Sequence, residues 1–76
     1  MGNIIVLIKS GGYSYLKSVG SPIEETTVQS EVYVFPSQHS ADLVAPTLIG
    51  GSIIDAYGVD ADSFSSNPSS PPPKPF

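Results

Sequence analysis

Unbroken apolar runs and period-two alternation dominate the first half of the chain, and both are signatures of β-strands. Residues Asn3 to Lys9 read N-I-I-V-L-I-K. The continuous apolar stretch from Ile4 to Ile8 predicts a strand buried on both faces. Ile4, Val6 and Ile8 then point one way, and Ile5 and Leu7 the other. So short a chain has difficulty covering both faces, and one of them is expected to be a subunit contact. Ser10-Gly11-Gly12 supplies a tight turn, and Tyr13 to Val19 (Y-S-Y-L-K-S-V) returns as the second strand of an antiparallel hairpin. Tyr13, Tyr15, Lys17 and Val19 share one face of it; Ser14, Leu16 and Ser18 share the other.

Gly20-Ser21-Pro22 interrupts the pattern. Ile23 to Phe35 then alternates, with Thr26, Val28, Ser30, Val32 and Val34 on one face and Thr27, Gln29, Glu31, Tyr33 and Phe35 on the opposite one. This predicts one half-buried strand ended by Pro36. Ser37 to Asp42 reads as a polar loop. Ser40 could cap at most one helical turn through Leu43 and Val44, because Pro46 disfavours the α conformation at Ala45. Thr47-Leu48-Ile49 and Ser52-Ile53-Ile54 are expected as two short strands around Gly50-Gly51, and Asp55 to Asp62 as loop. Residues Ser63 to Phe76 include five Ser and five Pro. Such a segment joins neither helix nor sheet and favours an extended, polyproline-like coil.

These elements predict an all-β fold, a small antiparallel sheet or open barrel of four to five short strands. It occupies residues 1–62 and is followed by an extended Pro/Ser-rich C-terminal arm over residues 63–76. Composition adds a constraint, because about sixty residues make a marginal core. The 76-residue chain has no cysteine and one histidine, His39. Disulfides and thiolate-held zinc are excluded, which leaves oligomerisation or docking onto a host surface as the support for a domain this small.

Charge narrows the partners. Seven acids oppose three lysines with no arginine, for a net charge of −4. Phosphate backbones and anionic membranes are both read by cationic side chains, so nucleic acid and membrane are poor partners. The Ile4–Ile8 run is too short for a signal-peptide core or a membrane span. Only 13% of residues are charged, against roughly 25–35% on a well-behaved free surface. Ser, Thr and Gly take their place, which suits burial against other subunits.

No residue constellation names a chemistry. Asp55, Asp60 and Asp62 lack the terminal Glu of a calcium loop. His39, Ser40 and Asp42 have the residue types of a hydrolytic triad, but sequence adjacency is not triad geometry. Gly50-Gly51-Ser52 lacks the lysine of a phosphate-binding loop. The expectation is no catalytic residue, cofactor or metal. Tyr13, Tyr15 and Tyr33 read as cross-strand aromatics or interface anchors.

The chain therefore reads as a non-enzymatic structural subunit of a larger protein assembly, docking through strand edges and its arm. A virion or phage particle, with the chain as a cement or minor structural protein, fits the composition. The expected partner-binding residues are Ile4, Val6, Ile8, Tyr13, Tyr15, Phe64, Pro71, Pro72, Pro73 and Phe76. The alternative is a small adaptor whose tail, with P-x-x-P at Pro68–Pro71 and Pro72–Pro75, is a ligand for a proline-binding domain.

Overall fold

The computed structural model describes residues 2–20, 22–65 and 70–74. Strand β1 (Asn3–Lys9) pairs antiparallel with β2 (Gly12–Ser18) through the predicted glycine turn, with Val6 opposite Tyr15 and Ile8 opposite Tyr13. On the other side of β1 lies β4 (Ile53–Asp60), also antiparallel, placing Tyr57 opposite Val6 and Asp55 opposite Ile8. A short β3 (Glu24–Thr26) pairs with β2, and the sheet order is β3-β2-β1-β4. Among the described residues the sheet is open, with β3 and β4 at its edges.

The expected strand from Ile23 to Phe35 is broken after Thr26. The buried Thr26 hydroxyl accepts from the Val28 N–H (3.0 Å) and donates to Glu31 Oε1 (2.8 Å), offering the backbone a turn in place of the ladder. A single 3-10 turn follows at Gln29–Glu31. The chain re-extends to bridge both central strands: Tyr33 N–H donates to Leu16 C=O, and Asn3 and Phe35 exchange backbone bonds of 2.9 and 2.6 Å.

Helix α1 (Gln38–Val44) replaces the expected polar loop. Ser37, not Ser40, is its N-cap, accepting from the Ser40 N–H at 3.2 Å. Ala45 is helical in spite of Pro46, which opens a 3-10 turn at Ala45–Leu48. Burial overrides the local preference, since Ala41 and Ala45 are 0% and 2% exposed. The expected turn falls on Gly51-Ser52, closed by paired backbone bonds between Gly50 and Ile53, with Gly51 in the left-handed region at φ 56°. The segment before it is 3-10 and irregular, not strand, and the predicted Asp55–Asp62 loop is largely β4.

This arrangement encloses β1 from both sides. Ile5, Leu7, Leu16, Phe35, Ala56 and Leu48 form a cluster with the buried alanines of α1 and the following turn. Gln38 fastens that layer, accepting from Asn3 Nδ2 at 2.6 Å and donating to Gly58 C=O at 3.0 Å and Asp42 at 2.8 Å. On the opposite face Ile4, Val6, Tyr15, Val32 and Val59 form a second cluster, with Ile8, Tyr13, Tyr57, Ala61 and Phe64 packed on it. The face expected to await a neighbour is covered by the chain itself.

Candidate protein-interaction site

Strand register builds the second face as two cross-strand rows. Tyr15, Val6 and Tyr57 lie side by side on β2, β1 and β4, and Tyr13, Ile8 and Asp55 form the next row. Successive residues of a strand alternate in direction, so all six side chains share the face opposite α1. Tyr13 and Tyr15 meet edge-on with centroids 5.7 Å apart, and Phe64 stacks on Tyr15 at 4.6 Å. These rings present hydroxyls above an apolar floor.

Those hydroxyls hold the C-terminal segment by its backbone. Tyr13 and Tyr15 both donate to Ser65 C=O, at 3.0 and 3.1 Å, and the Tyr15 hydroxyl accepts from the Ser65 N–H at 2.9 Å. Tyr57 donates to Pro72 C=O. Beyond it, the Lys74 ammonium lies 2.8 Å from Asp55 Oδ2 and 5.6 Å from the Tyr57 ring centroid. Pro72 is buried, whereas Pro71 and Pro73 are exposed. The described contacts thus fall on the backbone of Ser65 and Pro72 and on the Lys74 ammonium, two residues past the Pro72 carbonyl.

The sequence-predicted contact residues divide accordingly. Tyr13, Tyr15, Phe64 and Pro72 come together here. Ile4 and Val6 lie beneath at 2% and 0% exposure, with Ile8 half-buried. Pro71 and Pro73 flank the grip, and Phe76 lies outside the described residues. Sequence reasoning missed Tyr57, Asp55 and Lys74 as members of the site. The missed signal is the alternation of Asp55, Tyr57 and Val59 with the small residues Ala56 and Gly58.

Electrostatics tie the grip to pH. The Lys74 hydrogen bond, helped by the Ala56 N–H, outweighs desolvation and holds the Asp55 carboxyl below its ordinary value. A depressed folded-state pKa means that the pair stabilises above the unfolded aspartate value of about 4 and is lost as pH falls through the folded value. Burial, with the Asp55 charge, pushes Tyr57 up, and burial likewise raises Tyr15 against the Ser65 hydrogen bond. Raised phenols stabilise below about pH 10 and lose that contribution as pH rises through their folded values. Arm docking, read by NMR shifts of Lys74 and Tyr57, is therefore expected to weaken at both extremes. Lys74→Ala should abolish the acid limb that Asp55 contributes and leave the alkaline one.

The other candidates do not converge. His39 is exposed on α1, while Ser40 is bonded to Ser37 (2.7 Å) and Asp42 to Gln38. Asp60 accepts from the Asp62 N–H at 2.9 Å. Among the described residues no group of three His, Asp or Glu side chains is placed to hold a metal. An open cleft of about 620 Å³ lies at the hairpin end, between Lys9–Ser14 and Gly51, Ser52 and Ile54. Its lysine is already paired with Glu25 at 2.7 Å. No helix among the described residues is long and apolar enough to cross a membrane. Comparison with known protein families, characterised proteins and solved structures finds no match.

Proposed function

We propose that the protein is a non-enzymatic structural subunit of a larger protein assembly, joined to its neighbours through the C-terminal arm and the sheet edges. The observation that carries this reading is how the arm is held, by tyrosine hydroxyls on backbone carbonyls and one exposed ion pair. That grip falls on backbone carbonyls and leaves Pro71 and Pro73 exposed to a neighbour. Leu43, Ile49 and Ile54 are large apolar side chains left exposed, as suits a chain with so few charges. The outer edge of β4 is only partly blocked, by Gln38 on Gly58 C=O and by Asp55 on the Ala56 N–H. The lack of cysteine and arginine and the Ser/Thr/Gly-rich surface suit a virus or phage particle, where the chain serves as a cement or minor structural protein. The chain's own Tyr57 and Asp55 already match the Pro72 carbonyl and the Lys74 ammonium, which favours this reading over the alternative of a free ligand for a foreign proline-binding domain.

Sedimentation of the purified chain across a range of concentrations tests the reading. The expected result is a mass that rises with concentration, and rises less when the chain is truncated after Ser69. That truncation spares Phe64 and Ser65. Monomers at every concentration in both forms, with the same thermal transition, would sink it.

A further inference from the structure

We infer that Tyr57 and Asp55 form a docking site for the Pro72–Lys74 segment of a second copy of this chain, so that neighbouring subunits exchange arms. The inference rests on the assembly reading above and names the partner. The occupant is fixed by what already fills the site: a carbonyl for the Tyr57 hydroxyl, and a lysine two residues later for Asp55. Another copy presents the same groups at the same spacing, so the docked contacts are unchanged when the arm comes from outside.

Three features make the exchange inexpensive. Of the described residues Ser70–Lys74, Pro72 alone is buried, so undocking exposes little apolar surface. The Asp55–Lys74 pair is 34% and 50% exposed, and exposed pairs break easily. Prolines restrict the undocked arm, so little conformational entropy is lost when it docks again. Reach is also sufficient. Five residue steps separate Ser65 from Ser70, and extended chain covers up to ~3.6 Å per step, or about 18 Å. On a body 29 × 27 × 25 Å across, that length reaches the neighbour's Tyr57 where the two tyrosine-bearing faces lie against each other. The arm's own sheet competes at an effective concentration in the millimolar range, so exchange grows as subunits are crowded together.

Mixing natural-abundance and ¹⁵N-labelled full-length chains and treating them with a carbodiimide tests this. The reagent activates the Asp55 carboxylate, the Lys74 amine attacks it, an amide forms and a urea leaves. The Lys9–Glu25 pair, at 2.7 Å between β1 and β3, couples in the same way but cannot exchange while the sheet is folded, and so is an internal control. Mass spectrometry is expected to find mixed-isotope Asp55–Lys74 amides that increase with subunit concentration. They should approach about half of that product in a closed two-fold exchange of equal mixtures, while Lys9–Glu25 amides stay unmixed. A peptide of residues 70–76 should suppress the mixed product, and the same peptide carrying Lys74→Ala should need up to about fivefold more.

Asp55–Lys74 amides of single isotope at every concentration would overturn the exchange. If the chain still associates in that case, the assembly reading survives on its sheet edges; if it stays monomeric, both fall. Failure to form the Asp55–Lys74 amide while Lys9–Glu25 couples would remove the docking site itself. Mixed isotopes in both products would mean indiscriminate coupling, and would equally overturn the exchange.

Discussion

Tyr15→Ala is expected to leave the chain largely unfolded at 25 °C, whereas Tyr15→Phe keeps the fold and loosens the arm. Tyr15 is 1% exposed and is the largest of the fully buried side chains. It sits opposite Val6, edge-on to Tyr13 and stacked against Phe64. Truncating a buried aromatic to alanine costs about 3–5 kcal/mol, which is about the whole stability that a core of this size supplies. The phenylalanine variant keeps the ring and loses only the hydroxyl. That hydroxyl serves both Ser65 backbone groups, but Tyr13 still reaches Ser65 C=O. The cost should be about 1 kcal/mol, the net worth of a typical hydrogen bond. Far-UV circular dichroism with thermal melting separates the two outcomes. Near-UV circular dichroism reports the tyrosines directly, since the chain has no tryptophan. A Tyr15→Ala melt within a few degrees of the unmodified chain would mean that the second face is a covering, not a core.

How the chain completes that core bears on what was legible beforehand. The β1–β2 hairpin and the partition of its side chains could be read directly, because Ile4–Ile8 is an unbroken β-branched-rich apolar run, Y-S-Y-L-K-S-V returns as a strand, and the glycines between them mark the turn. The remaining strands were harder for specific reasons. Thr26 looks like a strand residue, yet its hydroxyl captures the Val28 N–H and Glu31 and turns the chain. Asp55 to Asp60 looks like a loop because Asp and Gly are depleted in strands. Its β identity comes from pairing along the whole of β1, a long-range contact that no local window contains. Helix α1 was hidden by the polar run before Leu43 and by Pro46, while its signal is Ala41 and Ala45, two small residues spaced one turn apart against the sheet.

The candidate site was half visible for the same reasons. Tyr13 and Tyr15 follow from the hairpin, and the proline-rich composition predicts an extended arm. The register that brings Tyr57 level with Tyr15 depends on the β1–β4 pairing, and so does the placing of Asp55 beneath Lys74. A bulge adds to the difficulty. Ile8 faces Asp55 and Lys9 faces Ile53, so Ile54 is an extra residue and the alternation of β4 shifts phase there.

Gly58 offers the second large effect, and its sign is diagnostic. Gly58 is not among the glycines with positive φ, so alanine fits its backbone. On backbone entropy alone, Gly58→Ala would stabilise by about 0.4–1 kcal/mol. Space reverses that expectation. An added Cβ would lie 2.8 Å from Ala41 Cβ and 3.0 Å from Gln38 Nε2, against the helix that covers the first face. Overpacking of this kind costs about 1–3 kcal/mol, and the displaced Gln38 would also give up its bonds to Asn3 and Gly58 C=O. Gly58→Ala is therefore expected to lower the denaturant midpoint and to speed hydrogen exchange in α1 first. Ala41→Gly removes the methyl that Gly58→Ala strikes, but costs about 1 kcal/mol as a glycine within a helix. The double variant should consequently be less destabilised than the sum of the singles, by about 0.5–3 kcal/mol. Strict additivity, or a stabilising Gly58→Ala, would mean that α1 does not press on β4 at this point. The first face would then be held by the larger side chains around Phe35 and Leu48, and not by the close approach of helix and strand.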